Sequence, residues 1–289
     1  MTSAYAYAPT RGSDGNWATN APVFSCERNE SVSPGEHALP IIRVTAKVKE
    51  PTPELTGRTA VQRYPDASAG SDSDPDGLLA LRFGANYYEE GMCTQDERFH
   101  QDRIDCFRAA ELLYLWSACK GNVQAYVNLG YVYGYDRCEG QYLGVDEWGR
   151  GAHEANGEFP RERRAYECLK VAADACHPEA CYKLGDLVSQ GRGCAPSLTR
   201  AIDLWETAFR LASDVDVPVW WGSAALRLGD AYEEGKGCAV SFSEALRWYE
   251  LAETGLQIAV DLGDWYYKKA LARARGGVLR CKQELDGRY

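Results

Sequence analysis

LGDLVSQGRGCAPSLTRAIDLWETA, from Leu184 to Ala208, decides the fold of this chain, because it recurs 44 residues later as LGDAYEEGKGCAVSFSEALRWYELA, from Leu228 to Ala252. The two segments share a Leu-Gly-Asp tripeptide, a Gly-x-Gly-Cys-Ala-x-Ser stretch and alanines at matching positions, without a gap. Self-similarity with a period of roughly 20 to 50 residues is typical of stacked supersecondary units. The sequence therefore predicts an array of helical hairpins.

An apolar residue followed by glycine anchors the first helix of each unit. The dipeptide occurs as Phe83-Gly84, Leu129-Gly130, Leu184-Gly185, Leu228-Gly229 and Leu262-Gly263. A glycine inside a helix costs about 1 kcal/mol relative to alanine, so its recurrence predicts a close approach between two helices. We expect the later Gly-x-Gly to end the first helix with a positive φ. The second helix should bury Ala201, Trp205 and Ala208, and likewise Ala245, Tyr249 and Ala252.

This arrangement of Ala-x-x-x-x-Gly-x-x-Tyr, Gly-x-Gly and an aromatic residue between alanines resembles the Sel1-like repeat, a relative of the tetratricopeptide repeat. The resemblance covers roughly residues 77 to 281 and is strongest in the third and fourth units. It implies an all-α fold, a right-handed superhelical solenoid of about four to five helix-turn-helix repeats. A basic helix from Lys268 to Arg280 would cap the last apolar face. It also implies a platform on which protein complexes assemble.

Residues 1–76 differ from the rest in being rich in Ser, Pro, Gly, Thr and Asp. Such a composition buries too little apolar surface to offset the entropy of ordering. We therefore predict a largely disordered or extended N-terminal arm over residues 1–76 and a solenoid over residues 77–289. Within the arm, Ile42 to Lys49 alternates apolar and polar residues, which is typical of a strand. This strand would either lie on the helical domain or pair with the sheet of a partner.

The formal net charge of −10 disfavours nucleic acid and an anionic membrane surface as partners, since both attract basic proteins. Met1 to Asn20 lacks the features of a secretory signal, and no apolar run approaches the length of a membrane-spanning helix. We expect no membrane insertion and a cytoplasmic location. The eleven cysteines are then expected to be reduced.

Two insertions interrupt the array. The first runs from Arg137 to about Arg161 and carries Tyr142, Trp148 and Phe159; the second runs from Val215 to Trp221. Insertions in solenoids map to loops on one face, which is often the binding face. Trp220 and Trp221 are therefore possible loop anchors for a partner. The alternative is that at least one of the two rings fills a wider gap between repeats.

The first helices of such repeats line the concave surface of the solenoid. Positions one before the Leu and one after the Gly share a face that points away from the buried one. This concave row is Arg82 and Ala85, Asn128 and Tyr131, Lys183 and Asp186, Arg227 and Asp230, and Asp261 and Asp264. We expect it to bind a partner protein or peptide through polar and charged contacts. The alternative is a solvated face with weak local ion pairs.

The sequence offers few groups for chemistry. Cys93, Cys138, Cys194 and Cys238 occupy positions that a buried apolar role explains. Cys168, Cys176, His177 and Cys181 form a denser group, for which zinc or a disulfide is the alternative to plain packing. The disulfide is implied by resemblance to the cysteine-rich subgroup of the family, although the spacing here is shorter. We expect no metal, no cofactor and no catalytic residue.

Ser117-Ala118-Cys119-Lys120 matches the Ser-x-x-Lys motif of penicillin-interacting enzymes, but the partner triplets of that chemistry are absent from the sequence. Because the cysteine-rich subgroup has been associated with penicillin binding, a protein that binds or hydrolyses a cell-wall or β-lactam-like molecule is the alternative to a scaffold. The alternative would require a compact pocket around Ser117 or a carboxylate pair.

Overall fold

A computed structural model describes residues 23–27, 41–45, 74, 76–94, 96–140, 142 and 161–287. The chain forms two compact units, Met1–Arg161 (unit 1) and Glu162–Tyr289 (unit 2). Most of the predicted arm lies outside the described residues, as do Trp148 and Phe159 of the first predicted insertion. The division into an arm over residues 1–76 and a solenoid over residues 77–289 therefore stays a prediction.

Unit 1 contains helices α1 Leu78–Cys93, α2 His100–Cys119 and α3 Val123–Gly134, with a short 3-10 helix Glu97–Phe99 before α2. α1 packs along α2. A Cβ built on Gly84 would lie only 2.6 Å from the ring of Tyr114, which confirms the close approach predicted from this glycine. The buried carboxylate of Asp74 accepts hydrogen bonds from the backbone N–H groups of Leu79 and Ala80 and so caps α1.

A two-stranded antiparallel sheet also belongs to unit 1. Its strands are β1 Val23–Glu27 and β2 Ile41–Thr45, with Val23 opposite Thr45. β2 overlaps the strand predicted from Ile42, and its backbone approaches α2. β2 is thus paired with β1 within the chain, and its pairing with the sheet of a partner stays a prediction.

Unit 2 is a run of antiparallel helical hairpins. Its helices are α4 Arg161–Asp174, α5 Pro178–Gln190, α6 Leu198–Asp214, α7 Pro218–Glu234, α8 Phe242–Asp261 and α9 Lys268–Asp286, with a 3-10 helix Trp265–Tyr267 before α9. α5 pairs with α6 and α7 with α8. None of the helices in the described part of the chain is long and apolar enough to cross a membrane.

The hairpins of unit 2 end and restart where the sequence predicts. Gly191 and Gly235 follow α5 and α7 with φ of +70°, the left-handed conformation that closes a helix at low cost for glycine. Ser197 and Ser241 then cap α6 and α8, each accepting a hydrogen bond from a backbone N–H three residues on. The predicted Gly-x-Gly turns are confirmed.

One glycine in each hairpin, Gly185 or Gly229, allows its two helices to touch. A Cβ on Gly185 would lie 2.5 Å from Trp205, and one on Gly229 would lie 2.6 Å from Tyr249. Such distances are shorter than any ordinary carbon contact, so the helices can pack this closely only because both positions lack a side chain. The alanines predicted to face inward are fully buried: Ala201, Ala208, Ala245 and Ala252.

Only the first three residues of the second predicted insertion, 215–217, lie in a turn, and the other four are helical. α7 begins at Pro218, so Trp220 and Trp221 lie in its first turn, and α7 has 17 residues where α5 has 13. Four added residues make about one helical turn, which keeps the buried face of the helix in phase. The prediction that both tryptophans lie in a loop is therefore wrong.

The fifth repeat begins later than predicted. α8 continues to Asp261, Gly263 adopts a φ of +106°, and Leu262 and Tyr266 are 77% and 67% exposed. Leu262-Gly263 is thus part of a turn, and the fifth first helix is α9 itself. The basic helix predicted from Lys268 is present, and the predicted helical-repeat fold is confirmed.

Candidate functional site

Four residues of the predicted row lie on first helices of unit 2. Lys183 and Asp186 lie on α5, and Arg227 and Asp230 lie on α7. The four side chains are half-buried, because the neighbouring helices flank them. We call these four residues the first-helix row.

Asp186 joins three helices within the row. Its carboxylate accepts hydrogen bonds from both Nε and Nη2 of Arg227 on α7, the second at 2.6 Å. The indole Nε1 of Trp205 on α6 donates to the same carboxylate at 3.2 Å and also to the carbonyl of Tyr182. A bidentate arginine–carboxylate pair of this kind fixes both position and orientation.

The same arrangement recurs one repeat later. The hydroxyl of Tyr249 on α8 lies at hydrogen-bond distance, 2.8 Å, from the carboxylate of Asp230. The same carboxylate forms an ion pair with Arg273 on α9. Each repeat therefore contributes an aromatic residue and an aspartate, and the following first helix contributes an arginine. Asp186, Arg227 and Asp230 of the row are thus paired across repeats, and these pairs bind adjacent repeats together.

A further carboxylate supports this link. Arg280 on α9 donates through Nε and Nη2 to Glu233 on α7, both at 2.7 Å. The hydroxyl of Tyr249 also lies 2.6 Å from this carboxylate, so its single proton is shared between Asp230 and Glu233. The hydrogen bonds from Arg280 and, to a smaller extent, from Tyr249 lower the pKa of Glu233. Burial, followed by the hydrogen bond to Glu233, raises the pKa of Tyr249.

Tyrosines border the row at the start of α5. The Lys183 ammonium lies 5.0 Å from the centroid of the Tyr182 ring, and the Arg227 guanidinium lies 5.2 Å from it. Tyr267, directly before α9, shares a side-chain hydrogen bond with Tyr182. Burial and then the charge of Glu179 raise the pKa of Tyr267. The turn before α9 therefore lies against the first-helix row.

Two predicted row residues do not lie on a first helix. Asp261 ends α8 and accepts a hydrogen bond from Gln257, and Asp264 lies in the turn that follows. Both are exposed. They were predicted to belong to the row because Leu262-Gly263 was expected to anchor a first helix. On α9, the actual first helix, the residue that pairs with the row is Arg273.

In unit 1 the predicted residues lie on α1 and α3. Arg82 and Ala85 are exposed on α1. Asn128 accepts a hydrogen bond from Gln124 at 3.1 Å, and Tyr131 stacks on Tyr135 with ring centroids 5.8 Å apart. Asn128 and Tyr131 are half-buried, and the assignment of these four residues to a binding surface stays a prediction.

The two tryptophans of α7 pack within unit 2. The ring of Trp221 meets the edge of Phe209 at 6.2 Å, and a Cβ on Gly255 of α8 would lie 2.5 Å from it. Trp220 lies 5.4 Å from the ring of His177. The placement of Trp221 agrees with the alternative interpretation, a ring that fills the junction between repeats.

Sequence reasoning missed an exposed aromatic pair. Trp265 and Tyr266 stack with centroids 4.0 Å apart and are 60% and 67% exposed. Among the described residues, the four most exposed large apolar side chains are Leu262, Trp265, Tyr266 and Leu279. The consecutive aromatic residues Trp265 to Tyr267 were the available signal, but taking Leu262-Gly263 as the anchor of a first helix concealed it.

The groups considered for chemistry have structural roles. The hydroxyl of Ser117 is fully buried and donates to the carbonyl of Gly77 at 2.7 Å, which ties α2 to the start of α1. Cys168 and Cys181 are buried, whereas Cys176 is exposed in the turn before α5. Burial raises the pKa of Cys181 to about 11, so this thiol stays protonated at neutral pH. Nowhere in the described part of the chain do three His, Cys, Asp or Glu side chains form a possible metal site.

The other cysteines vary in their environment. Cys138 is buried, as predicted, and burial followed by the charge of Glu111 raises its pKa. Cys194 and Cys238 are half-buried in the turns after α5 and α7. Cys93 is exposed, so the expectation that it is buried is wrong.

Comparison with known proteins agrees with this geometry. The Sel1 repeat model matches residues 178–213 and 222–254, which are the α5–α6 and α7–α8 hairpins. No curated protein matches the sequence.

Two solved structures are similar to the chain. A Sel1 repeat protein from Oxalobacter formigenes is 16% identical over 71% of this chain and 70% of its own, with a TM-score of 0.43. The protein c5321, a protective antigen present in uropathogenic Escherichia coli strains that displays an SLR fold, is 18% identical over 73% of this chain and 54% of its own, with a TM-score of 0.30. Residues 178–213 and 222–254 thus match the Sel1 repeat, and the similarity of the chain to this family rests on those two segments.

Proposed function

We propose that this chain is a scaffold that binds a partner protein or peptide through the first-helix row of its Sel1 repeats. Sel1 repeats generally serve as platforms for protein interactions, and stacked repeats present an extended surface for this purpose. The observation that carries the proposal is the pair of cross-repeat links, Asp186–Arg227 and Asp230–Arg273. They hold the charged groups of consecutive first helices in a fixed order before any partner arrives.

Such preorganisation favours binding, because side chains that are already ordered lose less entropy on association. The exposed pair Trp265–Tyr266 adjoins the row through Tyr267 and adds apolar area of the kind found at binding hot spots. Polar contacts from the row and apolar contacts from this pair would together form one surface. A cytoplasmic location stays a prediction.

The hydrolase alternative gains no support from the geometry. It depends on Ser117, whose buried hydroxyl is already engaged with the backbone of Gly77. A nucleophile needs an adjacent base and access to substrate. The described surroundings of Ser117 give neither, so the scaffold is the function that the site supports best.

A charge exchange tests the row. The double variant Asp186→Arg with Arg227→Asp keeps an ion pair between α5 and α7 but reverses the charge that each helix presents. Trp205 keeps the carbonyl of Tyr182 as an acceptor, so the variant should fold. We expect its capture of a stoichiometric partner from a native lysate to fall at least tenfold, as measured by quantitative mass spectrometry.

The matched control is the same exchange on another face, Lys170→Asp with Asp174→Lys on α4, where the two residues form an exposed ion pair. This control should capture as much partner as the original protein does. Equal capture by all three proteins would show that the row is only a link between repeats and would overturn the proposal.

A further inference from the structure

A second surface of unit 2 is an open groove of about 580 Å³ between the C-terminal half of α8 and the outer face of α9. α8 contributes Gln257 and Val260 to it. α9 contributes a stripe at helical spacing, namely Lys268, Ala272, Arg275, Gly276 and Leu279. Leu279 is 64% exposed, whereas Arg273 and Arg280, which do not line the groove, pair with α7.

α9 occupies the place of a first helix in the array. Its Arg273 pairs with Asp230 as Arg227 of α7 pairs with Asp186, which sets α9 in register with α7 at an offset of 46 residues. On its inner side, a Cβ on Gly277 would lie 2.5 Å from the ring of Tyr249. α9 therefore continues the row of first helices.

When α7 and α9 are aligned with this offset, the residues of α9 that face the groove correspond to the residues of α7 that contact α8. On α7, a Cβ at Gly222 would lie 2.9 Å from the backbone nitrogen of Leu256, and one at Gly229 would lie 2.6 Å from Tyr249. Glu233 accepts the hydrogen bond from the Tyr249 hydroxyl. The matching residues of α9 are Lys268, Arg275 and Leu279. The groove is thus the position that a second helix fills in each preceding repeat.

The differences between the two helices define what the groove accepts. Lys268 and Arg275 replace glycines of α7, so a helix cannot approach α9 as closely as α8 approaches α7. Both charged side chains that line the groove are basic. Arg275 is half-exposed and reaches Glu253, whereas Lys268 forms no ion pair with any described residue. Gly276 is open, since a Cβ there would meet only the end of Arg280, at 3.3 Å.

We infer that this groove binds an acidic amphipathic helix of a partner protein. Its apolar side chains would lie over Gly276 and Leu279, and its carboxylates would face Lys268 and Arg275. A second copy of the chain is disfavoured, because a symmetric contact would place the same basic residues against each other. The groove is distinct from the first-helix row, so either surface can function without the other.

The α8 sequence provides a probe. A synthetic peptide of Phe242–Asp261 is amphipathic, and in the chain this segment fills the equivalent position on α7. It is also acidic, because it has one basic residue, Arg247, and four acidic residues: Glu244, Glu250, Glu253 and Asp261. Labelled with a fluorophore and titrated with the full chain, it should show saturable binding by anisotropy. The variant Gly276→Phe, which fills the groove, should weaken binding at least tenfold.

Charge is tested separately. Lys268→Glu should weaken peptide binding at least fivefold at low salt, whereas Lys269→Glu, an exposed neighbour outside the groove, should not. The row variant Asp186→Arg with Arg227→Asp should bind the peptide normally, which separates a failure here from a failure of the proposed function.

Three outcomes would overturn the inference. One is the absence of saturable binding to the full chain. Another is equal binding to the Gly276→Phe variant, which would mean that the peptide displaces the chain's own α8 or binds elsewhere. The third is a chain that sediments as a dimer and becomes a monomer on Gly276→Phe, which would make a second copy the occupant.

Discussion

The carboxylate of Asp230 shows how one residue links three helices of unit 2. It lies on α7 and accepts from Tyr249 on α8 and from Arg273 on α9. Glu233, one turn later on the same helix, accepts from Arg280 and shares the single Tyr249 hydroxyl proton with Asp230. A partly buried donor that loses its acceptor costs more free energy than the hydrogen bond contributed. Removing either carboxylate should therefore destabilise the fold.

Glu233 gives a pH-dependent prediction at this scale. Its pKa is lowered in the folded state by the hydrogen bonds from Arg280 and Tyr249. The stabilisation is therefore complete above the ordinary glutamate pKa of about 4.5 and is lost as the pH falls through the lowered folded value. Glu233→Gln should reduce the free energy of unfolding by about 1–2 kcal/mol at pH 7. This difference should shrink below pH of about 4, as measured by urea unfolding at each pH.

The control for this experiment is Glu234→Gln. Glu234 is exposed and pairs with the exposed Lys236, so its replacement should change stability by less than about 0.5 kcal/mol. A deficit of the Glu233→Gln variant that stays the same from pH 7 to pH 3 would contradict the assignment to an ionised carboxylate.

At the scale of the helices, glycine decides how closely two of them pack. Gly229 lies against Tyr249, and the same contact exists between Gly185 and Trp205. Gly276, by contrast, lies on an open face of α9. The same residue type thus permits a contact in one helix and leaves a groove in another.

Alanine substitutions distinguish these two situations. Gly229→Ala should lower the free energy of unfolding by about 1–3 kcal/mol, because the new methyl group overlaps the ring of Tyr249. Gly276→Ala should raise it by up to about 1 kcal/mol, since alanine has the higher helix propensity and only the mobile end of Arg280 must move. Urea unfolding of both variants measures the difference, and effects of the same sign would refute the packing described.

At the scale of the whole chain, unit 2 is held together by contacts between neighbouring helices. α9 packs on α7 and α8 and is joined to them by Arg273, Arg275, Arg280 and Lys282. Stability in repeat arrays is close to a sum over repeats and their nearest-neighbour interfaces. Damage at one end should therefore stay local.

Hydrogen exchange tests this locality. In the variant Arg273→Ala with Arg280→Ala, amides of α9 should exchange at least tenfold faster, whereas those of α5 and α6 should keep their protection. Lys282→Ala removes only an exposed pair with Glu250 and should leave the exchange of α9 nearly unchanged. Uniform acceleration across unit 2 would instead indicate a single cooperative unit.

The sequence by itself determined the features that repeat and those that act over a few residues. The 44-residue match fixed the hairpins, the glycines Gly185 and Gly229 indicated close approach, and Gly191 and Gly235 marked the helix ends. These signals are local, because backbone conformation and helix periodicity depend on neighbours in the chain.

Tertiary structure decided the rest. Leu262-Gly263 has the composition of a first-helix anchor, yet α8 continues to Asp261, and Gly255 within it packs closely against Trp221 of α7. The partners of Asp186 and Asp230 stand 41 and 43 residues away, and no periodicity indicates such pairs. Contacts of this kind depend on how one repeat packs on the next, which is set by side-chain shape across the interface and not by the pattern along the chain.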